Sequence, residues 1–197
     1  MEKIVPHDAV TIPNAAKRVF KGQIFDVYQW QQERYDGSFA TFEMLRRPDT
    51  VETIGIVDDK IIVLTDEQPN RGAKRSFAGG RVDPGEQPNH SAVREVKEET
   101  GYEFAHYKLI EAHQPQSKVE WFIYTYIAWN MTGKTQPHLD PGERIEVELL
   151  PYDEVKRLVL AREGHLGGAH EIFSRCGSIE DLLNLPEYAG RVADVVD

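Results

Sequence analysis

Apolar and polar positions alternate over several short runs in the first half of this chain, then fall into a helical spacing near residue 90. From residue 19 to 33 the alternation is partial, through Phe20, Ile24 and Val27. Asp36-Gly37 then predicts a hairpin turn into residues 38–46. Residues 53–57 and 60–64 are two β-branched runs flanking Asp58-Asp59, which predicts a second hairpin. A glycine-rich loop over 77–84 precedes a helix whose first turn takes Pro88 and whose end takes Gly101. Strands are predicted at 108–112, 121–129 and 145–150, and an amphipathic helix at 152–162 with Val155, Leu158 and Val159 on one face. Residues 169–186 suit one or two short helices, and residues 1–16, with Pro6 and Pro13 and little periodicity, read as a loosely ordered arm. Strands on both sides of a central helix predict an α/β sandwich with a mixed sheet.

At 197 residues the chain suits one domain with a small appendage. Its 23 lysines and arginines against 33 acids leave a net charge of −10, which argues against a general nucleic-acid binder. A small phosphate ligand stays compatible, because a divalent metal can bring carboxylates and phosphates together. Cys176 is the one cysteine, so neither an intramolecular disulfide nor a Cys-rich zinc site is available. The start, Met-Glu-Lys-Ile-Val-Pro-His-Asp, does not read as a signal peptide, and the longest apolar stretches are too short to span a bilayer. These features lead us to expect a soluble cytoplasmic protein without a membrane partner.

The chemistry is concentrated between Gly80 and Tyr102. At about 100° per residue, Glu95, Glu98 and Glu99 share an arc of about 100° on the predicted helix. Ala92, Val93, Val96 and Thr100 occupy a different arc, so one side packs on a sheet while another presents three carboxylates. Glu95 and Glu99 repel at i, i+4, and the helix dipole disfavours anions near its C-terminal end. A divalent cation relieves both penalties, and hard oxygen ligands suit Mg²⁺ or Mn²⁺ rather than zinc. Arg94, four residues before Glu98, can hold that carboxylate by a forked contact. The alternative for a bare acidic run is a solvated helix face.

The spacing settles more than the charge does. Gly80, five residues, Glu86, seven residues, then Arg94-Glu95-Val96-Lys97-Glu98-Glu99-Thr100-Gly101-Tyr102 resembles the Nudix box, with Tyr102 standing where a large aliphatic residue is usual. The resemblance implies a Nudix-type α/β/α sandwich that hydrolyses a nucleoside diphosphate linked to another moiety, with divalent metals. It implies Glu95 and Glu99 as metal carboxylates, Glu98 as a further ligand or a base, the Gly79 carbonyl as a backbone ligand, and Arg94 as the residue orienting Glu98. Glu143, with Asp140 second, is the candidate base or extra ligand from a mobile acidic loop over 139–147.

The flanks resemble the ADP-ribose pyrophosphatase branch. Residues 19–25 look like its opening strand, and residues 42–48 look like its ligand-contacting segment, which suggests Glu43 and Arg47. A proline-containing loop over 114–120 adds Gln116 and Glu120, and Arg71 or Arg75 is the candidate phosphate contact before the box. Tyr28, Trp30, Phe39 and Trp121 are candidates for stacking on a base. The implied organisation is an N-terminal β-hairpin subdomain over 1–50, serving dimerisation and the substrate pocket, and a hydrolase domain over 51–197. A homodimer acting on a small-molecule nucleotide is expected. The leading expectation is hydrolysis of a nucleotide sugar such as ADP-ribose to a nucleoside monophosphate and a sugar phosphate. The alternatives are hydrolysis of modified nucleoside triphosphates or dinucleoside polyphosphates, and a nucleotide-sensing module without catalysis.

Overall fold

A computed structural model of the chain describes residues 2–69 and 71–194. The chain opens with β1 (Glu2–Val5), β2 (Lys17–Lys21), β3 (Asp26–Glu33) and β4 (Phe39–Arg46). It continues through β5 (Thr50–Val57), β6 (Lys60–Gln68) and β7 (Arg71–Ser76) into helix α1 (Pro88–Thr100). Strands β8 (Tyr102–His113), β9 (Val119–Glu120), β10 (Ile123–Lys134) and β11 (Arg144–Pro151) follow. The end holds α2 (Tyr152–Leu160), a 3₁₀ turn (Leu166–Ala169), α3 (His170–Arg175), α4 (Ile179–Leu183) and β12 (Arg191–Asp194).

Five strands run in the order β11-β6-β5-β10-β8, with β7 added on β6. Only the β5–β10 pair is parallel in this sheet, Thr50 lying opposite Ile123 and Gly55 opposite Ala128. Both faces are covered, and the side chains divide by parity as a pleated strand requires. Ile54, Ile56, Ile61, Val63 and Ile127 face α2, α3 and the 3₁₀ turn, where Val155, Val159, Leu166, Ile172 and Phe173 complete a core. Val57, Ile62, Leu64 and Ala128 face Val96 of α1, and Val51, Tyr124 and Tyr126 join Ala92. The layers are therefore helix, mixed sheet, helix, as expected. The predicted hairpin at 58–59 closes β5 on β6, with Asp58 in the left-handed region at φ 54°.

A second sheet orders as β2-β3-β4-β9, with β9 parallel to β4. Its small core is Ile12, Tyr28 and Met44. The predicted turn at 36–37 joins β3 to β4, where Glu33 pairs with Phe39. Val19, Phe20, Ile24, Phe25, Phe39 and Phe42 are left exposed on this sheet and its connections.

The N-terminal arm departs from the loose order expected of it. Strand β1 pairs with β12, and Val5, Ala9 and Ile12 are buried. Its backbone partners lie far along the chain: Val10 N–H donates to Gln114 Oε1 at 2.8 Å and Ile12 N–H to Glu120 Oε2 at 2.6 Å. Lys3 pairs with Asp49 at 2.6 Å. Such long-range ties leave no local periodicity to read. Strand β7 was likewise unexpected, β10 runs on to Lys134, and α2 stops at Leu160, before Arg162 turns left-handed at φ 55°.

The C-terminal end of α1 is pinned at Gly101. Its φ is 74°, its N–H donates to the Lys97 carbonyl at 2.9 Å, and an added Cβ would land on the Thr135 carbonyl oxygen. Thr135 N–H in turn donates to the Gly101 carbonyl at 2.8 Å, and His138 N–H to the Glu98 carbonyl at 2.7 Å. The segment leading to the 140–143 loop is thus tied to the last turn of the helix. Gly101→Ala meets both a left-handed backbone and a blocked Cβ, and is expected to lower stability by more than about 1 kcal/mol. Urea unfolding should show a lower midpoint at unchanged slope; an unchanged midpoint would mean that the 135–138 segment moves aside freely.

Candidate active site

Helix α1 starts without a side-chain cap, and its first turn is organised by Glu86 instead. Glu86 accepts from Ser91 Oγ at 2.6 Å, from Arg94 Nε at 3.2 Å and from Arg94 Nη2 at 3.0 Å. The forked grip of Arg94 is therefore on Glu86. Its Nη1 also reaches Glu95 at 2.8 Å and Glu98 at 3.1 Å, and its Nη2 reaches the Arg81 carbonyl at 3.0 Å. These contacts push the Glu86 carboxyl down to about 2, with Arg94 the main cause and Ser91 assisting against some desolvation. The Arg94 guanidinium is held above its ordinary range, first by Glu86.

Glu95 and Glu99 point back from α1 to the loop before it. An added Cβ on Gly80 would land on the Glu95 carboxylate, and one on Gly79 would land on the Val51 carbonyl oxygen, so the double glycine is what lets the loop lie this close. Gly79 N–H donates to Glu99 Oε2 at 2.7 Å. Burial pushes the Glu99 carboxyl well above the usual range, and Glu95, Glu143 and Asp66 push the same way. Burial also raises Glu95, against the attraction of Arg94. Glu143 is raised by burial first, then by Asp140, Asp66 and Glu98. Its loop is closed on itself, with Glu143 N–H on the Asp140 carbonyl at 3.1 Å and Asp140 N–H on Glu143 Oε2 at 3.3 Å.

Two of these facts differ from the helical-wheel expectation. Glu99 is half-buried: Gly79 N–H bonds its carboxylate, and the charges of Asp66 on β6 and Glu143 in the 140–143 loop act on it. Val93, expected on the packing arc, is exposed, and the buried side consists of Ser91, Ala92, Val96 and Thr100. Asp66 was not anticipated. It lies on β6 opposite Ile145, two residues after Glu143, so only the β6–β11 register brings it to the site.

Among the described residues, no three His, Cys, Asp or Glu side chains are gathered into a ready-made metal cluster. The donor chemistry nevertheless fits a hard divalent cation. Glu95 and Glu99 are carboxylates one turn apart, both desolvated toward protonation, and Arg94 is the cation in direct contact with Glu95. Oxygen donors that bear charge at a cost, beside a loop backbone brought close by glycine, are what Mg²⁺ or Mn²⁺ takes.

The residues expected at the substrate lie on and beside the second sheet. Glu43 on β4 accepts from Gln29 Nε2 at 2.7 Å. Arg47 follows β4 and stacks its guanidinium over Trp121 at 4.4 Å, with Phe25 at 5.8 Å. Gln116 sits exposed in the turn before β9. Glu120 faces inward, accepting from Arg46 Nε at 2.8 Å and from Ile12 N–H. The side chain of Arg71 lies outside the described part, and Arg75 is paired with Glu148 at 3.1 Å and Glu163 at 3.6 Å. Tyr28 is buried under the Arg46 guanidinium rather than open to a base.

The NUDIX domain model matches residues 46–169. Among curated proteins, the chain is 24% identical over 153 residues to an ADP-ribose pyrophosphatase of Bacillus subtilis (strain 168), covering 76% of this chain and 83% of that protein. It is 27% identical over 148 residues to the methanol dehydrogenase activator of Bacillus methanolicus, covering 73% and 80%. Among solved structures, an ADP compounds hydrolase superposes with a TM-score of 0.64 at 22% identity, over 88% of this chain and 98% of that one, a likeness of fold.

The Glu86–Arg94 grip makes stability depend on acid. Because the folded carboxyl sits near 2 against an ordinary 4.5, its contribution is present above about 4.5 and is lost as pH falls toward 2. Glu86→Gln should melt earlier than the parent at pH 7, and the gap should shrink below about pH 4.5 and close only near pH 2. A gap that stays constant over that range would assign the effect to packing instead of charge.

Proposed function

The chain belongs to the NUDIX domain family, and on that premise we propose that it hydrolyses the pyrophosphate bond of a nucleoside diphosphate sugar such as ADP-ribose, releasing a nucleoside monophosphate and a sugar phosphate. It is a pyrophosphohydrolase acting on small nucleotides. The observation that carries the finer reading is the pair of desolvated carboxylates, Glu95 and Glu99, held against Gly79-Gly80 at the foot of one helix.

In this reading Glu95 and Glu99 hold Mg²⁺ or Mn²⁺, with Glu98 and the Gly79 carbonyl as further ligands. When bound, such a cation supplies positive charge at the phosphate oxygens of the substrate. Arg94 keeps Glu95 and Glu98 in place from the other side, so their carboxylates need not reorganise on binding. Water attacks one phosphorus of the bridge, its oxygen bonds to that phosphorus, the bridging P–O bond breaks, and the other phosphate leaves. Glu143 takes the proton. Its raised pKa suits a general base, whereas the Glu98 carboxylate is engaged by Arg94. Glu43, Arg47, Gln116 and Glu120, with Arg71, belong to the pocket for the rest of the nucleotide, Glu120 by positioning Arg46 and the N-terminal arm.

Residues 1–50 form the dimerisation and pocket extension and 51–197 the hydrolase domain. The exposed Val19 (54%), Phe20 (60%) and Phe39 (64%) give the N-terminal sheet an apolar surface that suits a second copy of this chain. No helix among the described residues is long and apolar enough to cross a membrane. A reducing cytoplasm suits the buried thiol of Cys176. Light scattering at working concentration should return the mass of a dimer, and a monomeric mass would remove the pairing.

The reaction is tested by assaying nucleotide sugars, dinucleotides and triphosphates with Mg²⁺ in ¹⁸O-labelled water and identifying the products. Nucleoside monophosphate and sugar phosphate from ADP-ribose support the reading; turnover of triphosphates alone overturns the substrate. Glu99→Gln should abolish turnover. Because the folded carboxyl is raised, its ionisation opposes folding as pH climbs above about 4.5. The metal-free variant should therefore melt at or above the parent at pH 7 while losing the stabilisation that Mg²⁺ confers. Glu143→Gln should slow turnover by about 10²–10⁴-fold; survival of activity there, with Glu98→Gln dead, would move the base to the helix.

A further inference from the structure

The pairing of strand β5 with the loop before α1 brings the backbone segments that carry two arginines side by side. Val51 N–H donates to the Gly80 carbonyl at 2.9 Å, Val82 N–H donates to the Asp49 carbonyl at 2.9 Å, and Thr50 bridges Arg81. Arg47 and Arg81 are thereby close enough that the charge of Arg81 adds to burial in lowering the pKa of Arg47. Neither has an ion pair among the described residues. Asp49, the acid nearest in sequence, offsets part of that lowering by its charge, but its oxygens bond elsewhere: Oδ2 to Lys3 at 2.6 Å and Oδ1 to Phe122 N–H at 2.8 Å.

Arg47 is otherwise held as a receptor is held. Its guanidinium lies over Trp121, whose indole N–H is fixed on Thr50 Oγ1 at 3.1 Å, and its Nε is buried without a hydrogen-bond partner. The Arg81 carbonyl is anchored by Arg94, so the backbone beneath the second guanidinium is fixed as well. Like charges so placed oppose folding, in a chain whose net charge of −10 offers acids in excess. A dianionic phosphate answers the arrangement, since each guanidinium donates in a fork that matches two phosphate oxygens.

The site adjoins the acidic one without merging with it. Arg81 follows Gly80, which lies against the Glu95 carboxylate. A diphosphate under attack has its charge met on the acidic side, and the guanidinium pair is left for another group of the same molecule. We propose that Arg81 and Arg47 form an anion subsite for a phosphate monoester carried by the substrate beyond the diphosphate being cleaved, so that the enzyme selects phosphorylated nucleotide sugars. This rests on the pyrophosphatase reading above, and Arg81 is its specificity-determining residue.

The test compares ADP-ribose with its 2′-phosphate in the parent, Arg81→Ala and Arg81→Lys at saturating Mg²⁺. The parent should favour the phosphorylated substrate by about tenfold or more in kcat/KM, mostly through KM. Arg81→Ala should remove that ratio and Arg81→Lys should retain part of it. In parallel, calorimetry on the metal-free parent should show adenosine 2′,5′-bisphosphate binding more tightly than AMP, with the difference lost in Arg81→Ala. Equal handling of both substrates and both ligands by the parent, or equal losses on both in Arg81→Ala, overturns the subsite while the reaction stands. A binding preference that depends on Arg81, in a protein that turns over neither substrate, overturns the reaction while the subsite stands.

Discussion

The grip of Arg94 on Glu86 is the contact from which the rest of the site is built. It joins the loop before α1 to the second turn of that helix, with Ser91 and the Arg81 carbonyl adding to the same knot. Without it the glycine pair would have no reason to lie under Glu95 and Glu99, since close approach of a flexible loop is entropically unfavourable. With it, Gly79 presents its amide to Glu99 and Gly80 leaves room for the Glu95 carboxylate. Geometry that looks like metal chemistry is thus established first by an internal ion pair.

The same knot separates two regions of opposite sign. On one side burial raises the proton affinity of Glu95, Glu99 and Glu143, and neighbouring carboxylates add to it. On the other side stand Arg47 and Arg81, two guanidiniums with an indole beneath the first. In the proposed reading, each region is relieved by one end of a ligand that is anionic where it meets arginine and metal-bridged where it meets glutamate. Strain of this kind at a site is the ordinary signature of function purchased from stability elsewhere in the fold.

What could be read from the amino-acid order follows from how local each feature is. The limits of α1, the Gly101 terminus and the carboxylate arc depend on residues within a few turns of each other, and they were legible. The 58–59 hairpin was legible for the same reason. The N-terminal arm was misread because β1 finds its partner in β12 and its amides find Gln114 and Glu120, more than a hundred residues away. Asp66 meets the site through strand register, opposite Ile145, and Arg81, although it directly follows Gly80, faces β5 through its bridge to Thr50. The half-burial of Glu99 depends on Gly79, which lies outside the helix and so outside any helical wheel.

Strand register also explains why Glu143 rather than a helix residue suits proton transfer. The loop that carries it is anchored at one end by His138 on the Glu98 carbonyl and at the other by Arg144 opposite Glu67. Between these anchors, Gly142 adopts φ 108° and the turn closes only on itself, through Asp140. In the proposed reading, a side chain on such a short tether can follow a proton without disturbing Glu95, which Arg94 holds, or Glu99, which Gly79 holds. Glu98, held by that same guanidinium, would have to break an ion pair to do likewise. The proposed division between a rigid helix that holds charge and a tethered loop that moves a proton thus rests on two different kinds of contact, an ion-pair knot and a sheet register.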